Sequence, residues 1–121
     1  MQIDVRQSGD VHILDCSGRL EFGEATAKLR STSKELIAEG GRYFLLNLLD
    51  VPWLDSSAMG EVVAFHKRAR EKRGVVRLVV NTQSRTLFTL TQLEKMFDIF
   101  DSLDPALAAF SGPEGGYQER F

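Results

Sequence analysis

The chain has 121 residues, enough to bury a core without staples, and its 15 basic and 17 acidic side chains leave a formal charge of −2. That balance supplies no field to draw in nucleic acid or an anionic membrane, and a single cysteine, Cys16, excludes an internal disulfide or a cysteine-based metal site. No apolar run approaches the roughly 20 residues of a membrane span. Met1-Gln2-Ile3-Asp4-Val5 lacks the charged start and apolar core of a signal peptide, so a cytoplasmic location is the expectation.

Taken in order, residues 3–6 alternate, Ser8-Gly9-Asp10 turns, and residues 11–16 resume an extended pattern, which predicts an antiparallel hairpin. Val11, Ile13 and Asp15 fall on one face of the second strand, and His12, Leu14 and Cys16 on the other. Cys16 reads as a small buried apolar group. His12, with no second ligand at useful spacing, reads as a surface or strand-edge residue. Residues 17–23 form a loop and 24–39 a helix, with Ala25, Leu29, Leu36 and Ile37 inward and Lys28, Arg30, Lys34 and Glu35 outward. Gly40-Gly41 stops it.

The most informative stretch is YFLLNLLDVPWLDSSAMG, residues 43–60. Residues 43–49 are a continuous apolar run broken only by Asn47, as expected of a strand buried on both faces. Asp50 and Pro52 end it, since proline cannot donate to a ladder. Asp55-Ser56-Ser57 then opens a helix over 57–73, where side-chain oxygens can accept from free N–H groups. Met59, Val62, Val63 and Ala69 follow helical spacing, with Phe65 flanking. The basic stretch from His66 to Arg73 reads as a solvated helix end favoured by the dipole; a nucleic-acid patch fits the net-negative chain less well. Gly74 ends the helix. Residues 75–80 are a second apolar strand, 82–93 a helix with Leu87, Phe88 and Leu90 inward, and 96–100 a short last strand. Residues 104–110 make a final helix with Asp104 as cap and Pro105 at its first position. Residues 111–121, rich in glycine, read as a loose tail.

The order β-β-α-β-α-β-α-β-α predicts one α/β domain over 1–110, with a mostly parallel sheet of about five strands, an N-terminal antiparallel hairpin and about four helices. DSSAMG after a buried strand, together with GRLEFGEA at residues 18–25, resembles the STAS domain family, the anti-sigma factor antagonists. The family turn has the form D-S-[ST]-G-[LM]-G, matched here by Asp55, Ser56, Ser57, Ala58, Met59 and Gly60. The resemblance places Ser57 at the phosphoacceptor position, and Ala58 departs from the more usual glycine. GRLEFGEA is similar to the family's G-x-L-D-x-x-x-A segment, with Glu21 where aspartate is usual. By the same resemblance Glu21 and Phe22 lie beside the phosphoacceptor turn and join it in the partner-binding face. Phe22 as an exposed contact and Phe22 packed under its loop remain equally open at this point.

No catalytic constellation can be assembled. A G-x-x-x-x-G-K-[ST] loop, G-x-G-x-x-G, H-E-x-x-H and G-x-S-x-G are all absent. A serine without a base is a poor nucleophile but a good kinase substrate, so no enzyme activity and no cofactor are expected. The resemblance implies an anti-sigma factor antagonist that binds an anti-sigma factor serine kinase when unphosphorylated, frees the sigma factor, is switched off at Ser57, and is restored by a PP2C-type phosphatase. STAS modules also serve as scaffolds in stress-signalling assemblies or as regulatory subunits of lipid-transport ABC systems. A small hydrolase using Ser57 is the weaker rival, and the choice between monomer and homodimer stays open.

Overall fold

The computed structural model describes residues 1–110, so the expected tail at 111–121 lies outside the described residues. Strand β1 (Gln2–Ser8) and strand β2 (Val11–Ser17) form the hairpin, and helix α1 (Glu24–Ala38) leads into β3 (Tyr43–Asp50). Helix α2 (Ser56–Glu71), β4 (Val75–Val79), helix α3 (Thr82–Leu90), β5 (Asp98–Phe100) and helix α4 (Leu103–Ala108) follow. The strands lie in the sheet in chain order, β1 antiparallel to β2 and the rest parallel. The predicted α/β architecture is the one observed, with five strands and four α-helices among the described residues.

The two faces of the sheet are covered unequally. Leu14, Cys16, Phe44, Leu46 and Leu48 meet Leu29, Ile37, Val62, Phe65 and Phe88 from α1, α2 and α3 in the larger core, where Phe44 and Phe65 pack edge to face at 5.1 Å. Val11, Ile13, Leu45 and Val79 point the other way, under Ala106 of α4. The alternation expected along β2 holds, and Cys16 is buried. Burial, helped by the nearby Asp15 charge, pushes its thiol up to about 12, which leaves it inert at neutral pH.

Asn47 interrupts the apolar run of β3 for a structural reason. From Asp15 to Ser17 on β2 the ladder takes two steps, while β3 takes three, from Asn47 to Asp50. At this irregularity the Asn47 carboxamide oxygen accepts from the Leu49 N–H at 3.1 Å, and its nitrogen donates to Asp15 at 2.8 Å. Burial pushes the Asp15 carboxyl up, but the bonds from Arg6 (2.6 Å) and Asn47 outweigh it and hold the group below its usual range.

Several boundaries and orientations differ from expectation. Arg73, with φ 62°, reverses the chain after α2, whereas Gly74 is needed for closeness, since a Cβ there would stand 2.5 Å from the Arg42 carbonyl. Helix α3 ends at Leu90 because Gln92 takes a left-handed conformation, and Leu93–Lys95 is a separate 3-10 turn. Leu90, expected inward, is 74% exposed, because it stands two residues, about 200° around the helix, from buried Phe88. Met96 and Phe97 precede β5 instead of forming it. Helix α4 is capped by Ser102, so Pro105 falls at its third position, where an N–H has no intrahelical partner anyway. His12 sits on an interior strand against Phe44 at 5.8 Å, away from any sheet edge.

The basic end of α2 is only partly solvated. His66 is buried against Phe97 at 4.9 Å, and Arg68 turns back to Glu61 at 2.6 Å and to Ser33 of α1 at 3.1 Å. Lys67, Lys72 and Arg73 are exposed as expected.

Replacing Asn47 with valine keeps the strand apolar but strands the Leu49 N–H. The expected loss is about 1–3 kcal/mol, read as a lowered urea midpoint at unchanged slope.

Candidate functional site

Beyond β2 and β3 the two chains continue side by side. The Gly18 N–H bonds the Asp50 carbonyl at 3.1 Å, Leu20 N–H bonds Trp53 O at 2.9 Å, and Asp55 N–H bonds Leu20 O at 3.3 Å. Leu20 and Leu54 bridge in parallel and are both buried. The loop of residues 18–23 is thus fixed against the segment that enters α2.

Asp55 completes the fixation. It is the N-cap of α2, and one carboxylate oxygen accepts from the Ala58 N–H at 2.8 Å. The other accepts from the Phe22 N–H at 2.9 Å, across 33 residues of sequence. The Phe22 bond first, and then that from Ala58, hold the carboxyl below its usual range against the opposing effect of burial. Gly23, at φ 116°, begins α1 immediately afterwards, and its N–H is accepted by the Thr26 hydroxyl at 3.1 Å.

This geometry brings together the residues singled out in the sequence. Ser56 and Ser57 occupy the first turn of α2 and are exposed, as is Gly60, beside which a Cβ would meet open space. Ala58 is fully buried on ordinary helical backbone, so its methyl joins the core and the departure from glycine needs no rearrangement. Met59 is buried too, and serves the core instead of the surface. Phe22 is 80% exposed, which decides between its two readings in favour of an outward side chain. Glu21 is half-buried and pairs with Arg19 at 3.5 Å.

Trp53 was not singled out by sequence. It is 46% exposed, carries the Arg19 guanidinium 5.4 Å over its ring, and walls a groove of about 270 Å3 with Pro52, Leu54, Ser84 and Leu87. A large aromatic between a strand end and a helix cap is the one sequence signal that could have marked it.

Neither histidine stands beside the Ser56 and Ser57 hydroxyls. His66 lies nine residues beyond Ser57, about 13 Å along the helix, and faces Phe97; His12 faces Phe44. Among the described residues there is no group of three or more His, Cys, Asp or Glu that could hold a metal ion. No helix among them is long and apolar enough to cross a membrane.

A depressed carboxyl stabilises the folded state above its unfolded value of about 3.9 and loses that contribution as pH falls through the lower folded value. The tie from Asp55 to Phe22 is therefore expected to hold at pH 5 and to loosen below about pH 4. Emission of Trp53, the single tryptophan, should report this, with the transition absent in Asp55→Asn.

The family model for the STAS domain matches residues 2–106. A crystal structure of a Thermotoga maritima protein, provisionally named an anti-sigma factor antagonist, is 25% identical, with 87% of this chain and 91% of that chain covered at a TM-score of 0.81. An anti-sigma factor antagonist from Mycobacterium paratuberculosis shares the fold at 24% identity, 89% and 92% coverage and a TM-score of 0.77. The phosphorylated form of the Bacillus cell fate determinant SpoIIAA shares it at 16% identity, 88% and 96% coverage and a TM-score of 0.70. With the model matched across both faces of the sheet and through the Asp55–Gly60 turn, the chain belongs to the STAS domain family.

Proposed function

We propose that this STAS domain is an anti-sigma factor antagonist whose unmodified form binds an anti-sigma factor serine kinase and is released when Ser57 is phosphorylated. The observation that carries this reading is an exposed serine in the first turn of α2, held beside exposed Phe22, with both histidines turned to aromatic rings elsewhere. SpoIIAA, which shares the fold, has been solved in both its unphosphorylated and phosphorylated forms, and this supports the switch.

The step itself is phosphoryl transfer. The Ser57 oxygen attacks the γ-phosphorus of ATP as the bond to the β-phosphate oxygen breaks, ADP leaves, and the serine proton passes to a base of the kinase. This chain contributes only the positioned hydroxyl. A PP2C-type phosphatase restores it with water, releasing inorganic phosphate.

Binding would use Phe22 as the apolar anchor, flanked by Glu21, Asp55 and Ser56, with exposed Gly60 permitting close approach. A phosphate adds about −1.5 to −2 charge beside the Asp55 carboxylate. A surface complementary to the neutral turn would then have to bury that charge against a like charge, which costs more than the contact returns.

Incubation with ATP and candidate anti-sigma kinases should add one phosphate to the native chain and none to Ser57→Ala, read by intact mass. Binding by the native chain with no phosphate gained would move the reading to a STAS scaffold or transporter subunit. Ser57→Asp should lose at least about tenfold in affinity for the unmodified-state partner. Phe22→Ala should also lose about tenfold or more while leaving thermal stability unchanged, because the ring is largely solvated.

A further inference from the structure

Helices α1 and α2 are joined by a charge cluster that the switch reading leaves unused. The Glu61 carboxylate is 6% exposed, and its two oxygens take Arg30 Nε at 3.0 Å and Arg68 at 2.6 Å. Two guanidiniums against one carboxylate leave the cluster with a surplus positive charge. Arg68 is mostly buried and also bonded to Ser33. Arg30 is half-exposed, and among the described residues only its Nε is engaged, which leaves the outer nitrogens of its fork free to donate.

The placement of this surplus is specific. Glu61 follows Ser57 by four residues, so the two are neighbours on one edge of α2, about 5–6 Å apart at Cβ. Helical side chains lean towards the N-terminus of their helix, which carries the Glu61 carboxylate, and the guanidinium bonded to it, towards the turn holding Ser57. Ser57 itself is exposed on that edge. A planar fork with unused donors suits a phosphate far better than a hydroxyl.

We propose that Arg30 is the intramolecular receiver of a phosphate on Ser57. Its outer guanidinium nitrogens pair with phosphate oxygens while Nε stays with Glu61, so the modified turn is held against α1 in one conformation. The assignment rests on the reading of Ser57 as a phosphoacceptor. Without that modification Arg30 simply completes the pairing of buried Glu61.

The test is a 31P NMR titration of the full chain carrying phosphoserine at position 57, incorporated during synthesis so that no kinase is needed. The second ionisation of a free phosphoserine lies near about 6. With Asp55, Glu61 and the helix terminus present in every variant, the native chain is expected to titrate lower than Arg30→Gln by about 0.3 unit or more. Arg30→Lys, which keeps the charge, should retain part of that shift. A smaller difference for Arg30→Gln, or an Arg30→Lys chain titrating with Arg30→Gln, overturns the assignment. The two readings fail separately: equal midpoints remove Arg30 as the receiver, whereas a chain that no kinase modifies removes the switch. Arg30→Gln leaves Glu61 paired with Arg68, and Arg30 is half-exposed, so the variant is expected to fold.

Discussion

The Asp55 carboxylate completes a join between the loop after β2 and the start of α2 that the backbone bonds of Gly18, Leu20 and Asp55 begin. One oxygen closes the first turn of α2 through Ala58, and the other captures the Phe22 N–H from the loop after β2. Two charge-assisted bonds to backbone make loop and helix terminus move as one body. The positions of Phe22, Ser56, Ser57 and Gly60 follow from that side chain together with the backbone bonds that run alongside it. The same bonds keep it ionised, so the turn carries a fixed negative charge before any modification.

Elsewhere in the fold three buried polar groups are paired. Asn47 in the central strand satisfies an N–H at the ladder irregularity and a carboxylate on β2. Arg77 on β4 is buried between Asp98 at 3.2 Å and the Phe110 ring at 4.3 Å. Glu61 on α2 is held by two arginines. Each group would be strongly destabilising alone and is tolerated because its partners come from neighbouring elements. The Glu61 pairs brace α2 against α1 one turn from Ser57, while the Asn47 and Arg77 pairs tie neighbouring strands, so the Ser57 turn has a rigid base.

That rigidity separates two uses of a serine. A nucleophile needs a base at hydrogen-bond distance, and both histidines are turned into aromatic contacts instead. A kinase substrate needs only an exposed hydroxyl at a reproducible position, which a helix cap provides. The exposed Ser57 in the first turn of α2 meets the second requirement, and neither histidine meets the first.

Much of this was legible in the sequence because it depends on local pattern. The apolar run of β3, its termination at Asp50 and Pro52, and the helix opening at Asp55 are written in residues adjacent along the chain. Their order alone determined a parallel sheet with a leading hairpin and put the serines at its carboxyl end. Tertiary structure decided what depends on distant partners. Phe22 faces outward from a loop whose backbone is held by Asp55, 33 residues away. Met59 faces the core, His66 and Arg68 leave the solvated helix end, and Leu90 is exposed because α3 packs through Ser84 and Phe88 on its other side. Periodicity records which face of a helix is apolar. It does not record which charged residue finds a buried partner on another element, because that partner exists only once the chain has folded.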